Sequence, residues 1–201
     1  MDNRNRLLVR LMKRKSLPSL VPDYIWHPGV DEEIAALSES EMANDRPDGW
    51  SSARAWKAAL HLWNDSLAAA HRIVEPMNSP TSAALHGIVH RREGDFGNAK
   101  IWFRMAGDHP AFHGLQSRAA SFLRQQRNPP GPLNKVFGQI VAQGSWNPYL
   151  FIEAIAIQTN HIGEEYTRNL LEWLQQLELE AFMRYLEGRI AFERPPVEFA
   201  E

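Results

Sequence analysis

Apolar residues recur at three- and four-residue steps along most of the chain, and residues that start or stop helices interrupt those steps. Tyr166, Leu170, Trp173, Leu174, Leu177, Ala181 and Tyr185 fall on one stripe, which predicts a long helix from Gly163 to about Leu186. Asp31, Glu32 and Glu33 open a stretch from Val30 to Ala43, where carboxylates suit the positive end of a helix dipole. Ser51 or Ser52 caps a stretch that runs to Glu75, broken near Asn64-Asp65 and stopped by Pro76. Ser79-Pro80 supplies a cap and a first-turn proline for a helix to about Arg92. Gly94-Asp95 then turns the chain into a short helix from Gly97 to Ala106, with Gly107 as its stop. Three more helices follow at 111–126, at 133–143 and from Asn147-Pro148 to about Thr159, with a rigid proline-rich loop from Asn128 to Pro132.

No run of alternating β-branched residues and no Asn-Gly hairpin signal interrupts this pattern. The expectation is an all-α fold. Short connections favour an antiparallel bundle of about seven to eight helices in one domain, residues 21–192. Residues 1–20 read as a flexible basic N-terminal arm and residues 193–201 as a C-terminal tail.

Composition narrows the chemistry. The chain of 201 residues has no Cys, which removes disulfides, thiolate metal sites and Cys nucleophiles, so any metal ligands are His and carboxylate. No apolar run approaches the roughly 18 residues of a membrane span, and the start lacks the apolar core of a secretory signal. A cytoplasmic location is the expectation. Six of the 22 basic residues lie in residues 4–15, and with these and Asp2 set aside from the 24 acidic residues, the remainder is acidic by seven. A nucleic-acid binder would carry the opposite balance, so no nucleic acid is expected as a partner.

Residues 84–110, ALHGIVHRREGDFGNAKIWFRMAGDHP, hold most of the candidate chemistry. At 100° per residue, His86, His90 and Glu93 project within about 60° of one another on a helix. Two imidazoles four residues apart have the spacing that lets both reach one metal ion. His71 on the preceding helix, His109 beyond the following one, and Glu153, a lone carboxylate on an apolar helix, are further candidate ligands. A set of imidazoles and carboxylates without thiolates suits a divalent metal such as Zn, Fe or Mn. Arg91 and Arg92 add two forked donors for a carboxylate or phosphate, with Lys100 and Trp102 as further ligand-binding candidates. His90 and Glu93 are the candidates for acid–base catalysis. A plainer reading also fits: paired helix histidines often bond only to carbonyls or carboxylates, Glu93 pairs equally well with Arg92 or Lys100, and Glu153 suits a solvated face. His27, His61, His113 and His161 show no ligand spacing and read as structural.

The order of Gly87, Gly94-Asp95-Phe96, Ala99, Phe103, Ala106 and Pro110 resembles one tetratricopeptide repeat, a helix–turn–helix pair of about 30 residues. In that register His86 and His90 sit on the face that meets Ala99 and Phe103. The string HGIVHRREGDFGNAKIWFRMAGDHPAF also resembles the signature of a family of small bacterial and fungal proteins. Its second motif, Trp-Asp-Pro-Phe ending in an acid, is similar to Trp146-Asn147-Pro148-Tyr149 through Glu153, with Asn147 in place of the acid. This likeness spans about residues 60–185 and attaches no activity to the chain. It implies that His71, His86, His90, Arg91, Arg92, Glu93, Asn98, Lys100, Trp102 and His109 share one motif.

Two classes of function remain open. The first is a helical site protein that binds a divalent metal or a small anionic ligand at the His/Glu/Arg cluster, with enzymatic activity an open question. The second is a tetratricopeptide-like interaction or scaffold module without catalysis. Ten ionisable or His side chains between His86 and His109 favour the first, because a plain core hairpin would carry Leu and Ala there. Oligomeric state, substrate and partner are not encoded in any recognisable pattern.

Overall fold

Helix boundaries fall where a side chain satisfies the free amides of a first turn. Ser79 and Ser82 form a reciprocal capping box, Ser82 N donating to Ser79 Oγ at 3.1 Å and Ser79 N to Ser82 Oγ at 3.0 Å. Asp95 accepts from Asn98 N at 3.0 Å, and Asn147 accepts from Tyr149 N and Leu150 N at 3.0 and 3.2 Å. Prolines 28, 80, 132 and 148 each occupy a first helical turn, where no amide is missed.

The computed structural model describes residues 3–129 and 131–192, and among the described residues every regular element is helical. Eleven α-helices follow in order: α1 (Asn3–Met12), α2 (Pro28–Ala35), α3 (Glu39–Met42), α4 (Trp50–Trp63), α5 (Leu67–Val74), α6 (Pro80–Arg92), α7 (Phe96–Ala106), α8 (Leu115–Arg124), α9 (Pro132–Ala142), α10 (Pro148–Ile157) and α11 (Glu165–Phe192). The number exceeds the expected seven or eight because α1 is an added helix, the Val30–Ala43 stretch is split, and the expected break near Asn64-Asp65 separates α4 from α5. The Val30–Ala43 stretch breaks after Ala35, with His27 capping α2 and Ser38 capping α3. The 111–126 stretch becomes a 3-10 turn at Pro110–Phe112 followed by α8. A π turn, Gln158–Ile162, follows α10. The expected tail at 193–201 lies outside the described residues.

The basic N-terminus is a packed element where a loose arm was expected. Leu7 and Leu11 of α1 are buried, as is Leu20 in the segment that follows. Arg14 donates to Trp63 O at 2.7 Å and pairs with Asp65 at 2.8 Å. The density of cationic residues masks a Leu stripe of helical period there.

Helix contacts run in a closed circuit, α4–α6–α7–α10–α9–α8–α11 and back to α4. α6 and α7, joined by three residues, fold back on each other more extensively than any other pair. Gly87 makes that approach possible: a Cβ there would lie 2.9 Å from the Phe103 ring. The expected stripe of α11 is buried at Leu170, Leu174, Leu177 and Ala181, while Trp173 stays 39% exposed and stacks on Phe122 at 4.9 Å. α11 also buries Leu171, Gln175, Glu178 and Phe182, so it is enclosed on more than one face.

Candidate metal centre

Three of the expected ligands converge. One ring nitrogen each of His71, His86 and His90 lies within 4.8 Å of the other two. α5 supplies His71 and α6 supplies the other two, one helical turn apart. His86 is buried and flanked on both ring faces, stacked on Trp102 of α7 at 3.9 Å and on His90 at 4.8 Å. Trp102 therefore serves as a wall for His86. The face bearing His86 meets Trp102, and it is Gly87 that meets Phe103.

Glu93, the C-cap of α6, stands behind two of the rings. Its carboxylate lies 3.4 Å from His71 Nδ1 and 3.1 Å from His90 Nδ1, neither with the alignment of a hydrogen bond. Its expected partners, Arg92 and Lys100, are not the groups it faces. A proton on His71 Nδ1, facing Glu93, leaves His71 Nε2 bare to accept from the Nε2–H of His86 at 2.8 Å. His86 Nδ1 is then a buried nitrogen with no partner. Burial, reinforced by His71 and His90, pushes His86 down to about 4 from 6.5, so it is neutral at physiological pH. Neutral imidazoles are the form that binds metal.

The remaining candidates lie elsewhere. Arg91 and Arg92 are fully buried and have protein partners. Arg91 makes a two-pronged pair with Glu178 of α11 at 3.1 and 2.6 Å, and Trp146 Nε1 donates to the same carboxylate at 3.2 Å. Arg92 pairs with Asp65 and donates to Leu62 O and, at 3.1 and 2.8 Å, to Ser19 O. Neither guanidinium faces an external anion; both hold helices together. Glu153 is exposed on α10 and is not part of the histidine group. Lys100 is exposed on α7. His109 is buried apart from the cluster, bonded to Thr81 and the Ala111 amide. Of the histidines read as structural, His27 caps α2 and His61 is buried against Asp31 at 2.7 Å.

Glu178, Asp65 and Trp146 are the polar residues that a reading of local pattern passes over. Each acts through a partner distant in sequence, and only the oddity of two adjacent arginines on a buried helix signals them. Comparison with family models, with curated proteins and with solved structures finds no match to this chain.

Proposed function

We propose that His71, His86 and His90 bind one divalent metal ion, with Glu93 orienting the rings of His71 and His90 from their Nδ1 sides. The observation that carries this reading is the convergence of three ring nitrogens within 4.8 Å, drawn from two helices, with a shared carboxylate behind two of them. A carboxylate behind a ligating imidazole fixes its tautomer and raises its basicity. The 2.8 Å separation of the His71 and His86 nitrogens is shorter than the roughly 3.3 Å expected across a tetrahedral ion with metal–nitrogen bonds of about 2.0–2.1 Å. Binding therefore requires a small rotation of half-buried His71 and a shift of the His86 proton to Nδ1. An all-imidazole set suits Zn or Fe, whereas Mn favours oxygen ligands and is less suited once Glu153 lies outside the group. Three protein ligands leave a position for water or a small anion, which is where a reaction would take place.

Metal analysis of protein purified without a histidine tag tests this reading. The expected result is close to one equivalent, or a clear rise in Tm on adding Zn, Mn or Fe to stripped protein. His71→Ala and His90→Ala are expected to abolish both while retaining the helical circular-dichroism signal. Less than about a tenth of an equivalent, with no thermal shift on adding metal, overturns it. The cluster is then a hydrogen-bonded imidazole array.

A second reading rests on the close α6–α7 approach and on the exposed apolar side chains of α7, Ile101 at 49% and Met105 at 58%. These features support a tetratricopeptide-like interaction module. Its mark is a protein partner whose binding is lost in Ile101→Asp with Met105→Asp and is indifferent to metal.

A further inference from the structure

Away from the histidines, a cleft opens between the segment following α1 and the face of α11. Two adjoining cavities, of about 580 and 330 Å³, share Ser19, Val21, Asp23 and Glu172 along their walls. The larger lies within the range of sites for small molecules. Three buried polar side chains hold the strap that walls this cleft. Arg92 and Gln175 both donate to Ser19 O, Gln175 also donates to Pro18 O at 3.0 Å, and Arg14 donates to Leu17 O at 3.1 Å. Buried polar groups are costly, and here they position a loop whose other side is empty space. The corner residue Asp65, which anchors Arg14 and Arg92, lines the larger cavity in the left-handed region with φ 60°. The π turn Gln158–Ile162 contributes Gln158 to the smaller one. Left-handed non-glycine residues and π turns both concentrate at functional sites.

The charges around the cleft are balanced but incompletely paired. Among the described residues, Asp23 and Glu172 have no ion pair, and neither do Lys15 and Arg168. Glu172 is half-buried; burial pushes its carboxyl up, opposed by the nearby Leu20 amide, Arg168 and Arg14, with Asp65 adding to the rise. Arg14, whose side chain is 5% exposed, also lines the larger cavity, its guanidinium over the Trp26 ring at 4.9 Å. The cleft thus presents Lys15 and Arg168 beside Asp23 and Glu172, none of them in a close ion pair, with Val21, Pro22 and Trp26 as apolar wall.

We propose that this cleft binds a small zwitterion of the α-amino-acid type. The ligand carboxylate is received by Lys15, its ammonium by Glu172 and Asp23, and its side chain by the apolar wall. A simple cation would meet Lys15, Arg14 and Arg168 unfavourably, and a simple anion would meet Glu172 and Asp23. Only a ligand carrying both charges satisfies both sets. The proposal is independent of any metal at the histidine cluster.

Calorimetry and thermal shift on the full chain, stripped of metal with a chelator, provide the test. The probes are L-leucine, L-phenylalanine and L-arginine, each beside its amide, which keeps only the α-ammonium, and its N-acetyl form, which keeps only the carboxylate. At least one free amino acid is expected to bind and raise Tm, with both of its derivatives weaker by about tenfold or more. Glu172→Gln is expected to weaken that amino acid by about tenfold, and exposed Asp23→Asn serves the same purpose if the first variant folds poorly. No binding by any of the three at 10 mM (about the weakest affinity worth a site) overturns the proposal. Equal binding of the amide or of the acetyl form also overturns it, as does full affinity in both carboxylate variants.

Discussion

His109 is fixed in one tautomer by two hydrogen bonds. Its Nδ1 accepts from Ala111 N at 3.1 Å, so the proton sits on Nε2 and is donated to Thr81 Oγ1 at 3.0 Å. Phe182 stacks on the ring at 5.3 Å. A second proton would set an N–H against the Ala111 amide, and burial, with a smaller contribution from His113, holds His109 at about 4, below the usual 6.5. Because the folded value is the lower one, the unfolded chain binds more protons between those limits. Stability from the neutral ring is complete above pH 6.5 and drains away as pH falls towards 4, by at most roughly 3 kcal/mol. Urea unfolding across this window is expected to show the decline. His109→Asn keeps a capping acceptor but has no titrating ring, so its decline is expected to be shallower by up to one proton, from a lower starting stability. Parallel profiles for the two proteins would mean that the ring does not titrate in this window. The Arg91–Glu178 pair makes a second prediction at this scale, since both side chains are fully buried. Removing one partner leaves an uncompensated charge, so Glu178→Leu alone is expected to cost about 3–5 kcal/mol. Arg91→Met combined with it is expected to cost much less than the sum of the two single changes. Additive losses in a double-mutant cycle would contradict the coupling.

Among the elements, α6 concentrates the most roles in the fewest residues. One side carries His86 and His90, the next turn sends Arg91 to α11 and Arg92 to the α4–α5 corner, and Gly87 seats Phe103 of α7. Gly87→Ala places a methyl group against that ring at 2.9 Å, forcing α6 and α7 apart or Phe103 out of its rotamer. The expected loss is about 1–3 kcal/mol, partly recovered when Phe103→Leu is added, as measured by urea unfolding. A neutral Gly87→Ala would show that the glycine is not required by packing. Helix positions are legible in the chain because Ser79, Asp95 and Asn147 are short-range signals whose backbone donors lie within three residues. His86, His90 and Glu93 are legible together for the same reason, since one helical face relates them. Arg91 and Arg92 look like ligand-binding groups in the sequence because their partners, Glu178 and Asp65, lie 87 and 27 residues away, beyond any local pattern. The break after Ala35 and the packing of α1 were missed for the reason that tertiary contact, not local period, decides short or strongly charged segments.

At the scale of the molecule, Asp65 is the node of one buried polar network. This residue turns the corner between α4 and α5 and takes Arg14 from beyond the end of α1 and Arg92 from the end of α6. Arg92 in turn grips Ser19 O, which Gln175 of α11 grips as well. One carboxylate therefore links the N-terminal segment, the α4–α5 corner, α6 and, through the strap at 17–20, the central helix. Asp65→Asn separates charge from conformation, because Asn tolerates the left-handed backbone at φ 60° while leaving two buried guanidiniums without their counter-ion. The expected loss of stability is about 3–5 kcal/mol. Hydrogen exchange locates it: protection of the corner amides of Asn64, Asp65 and Ser66, bonded to Leu60, Leu62 and His61 carbonyls, is expected to fall more than that of the α9–α10 pair, which has no link to the node. If protection falls evenly through the molecule, Asp65 supports global stability alone. If exchange stays unchanged and the loss is below about 1 kcal/mol, the buried arginines hold the strap without it.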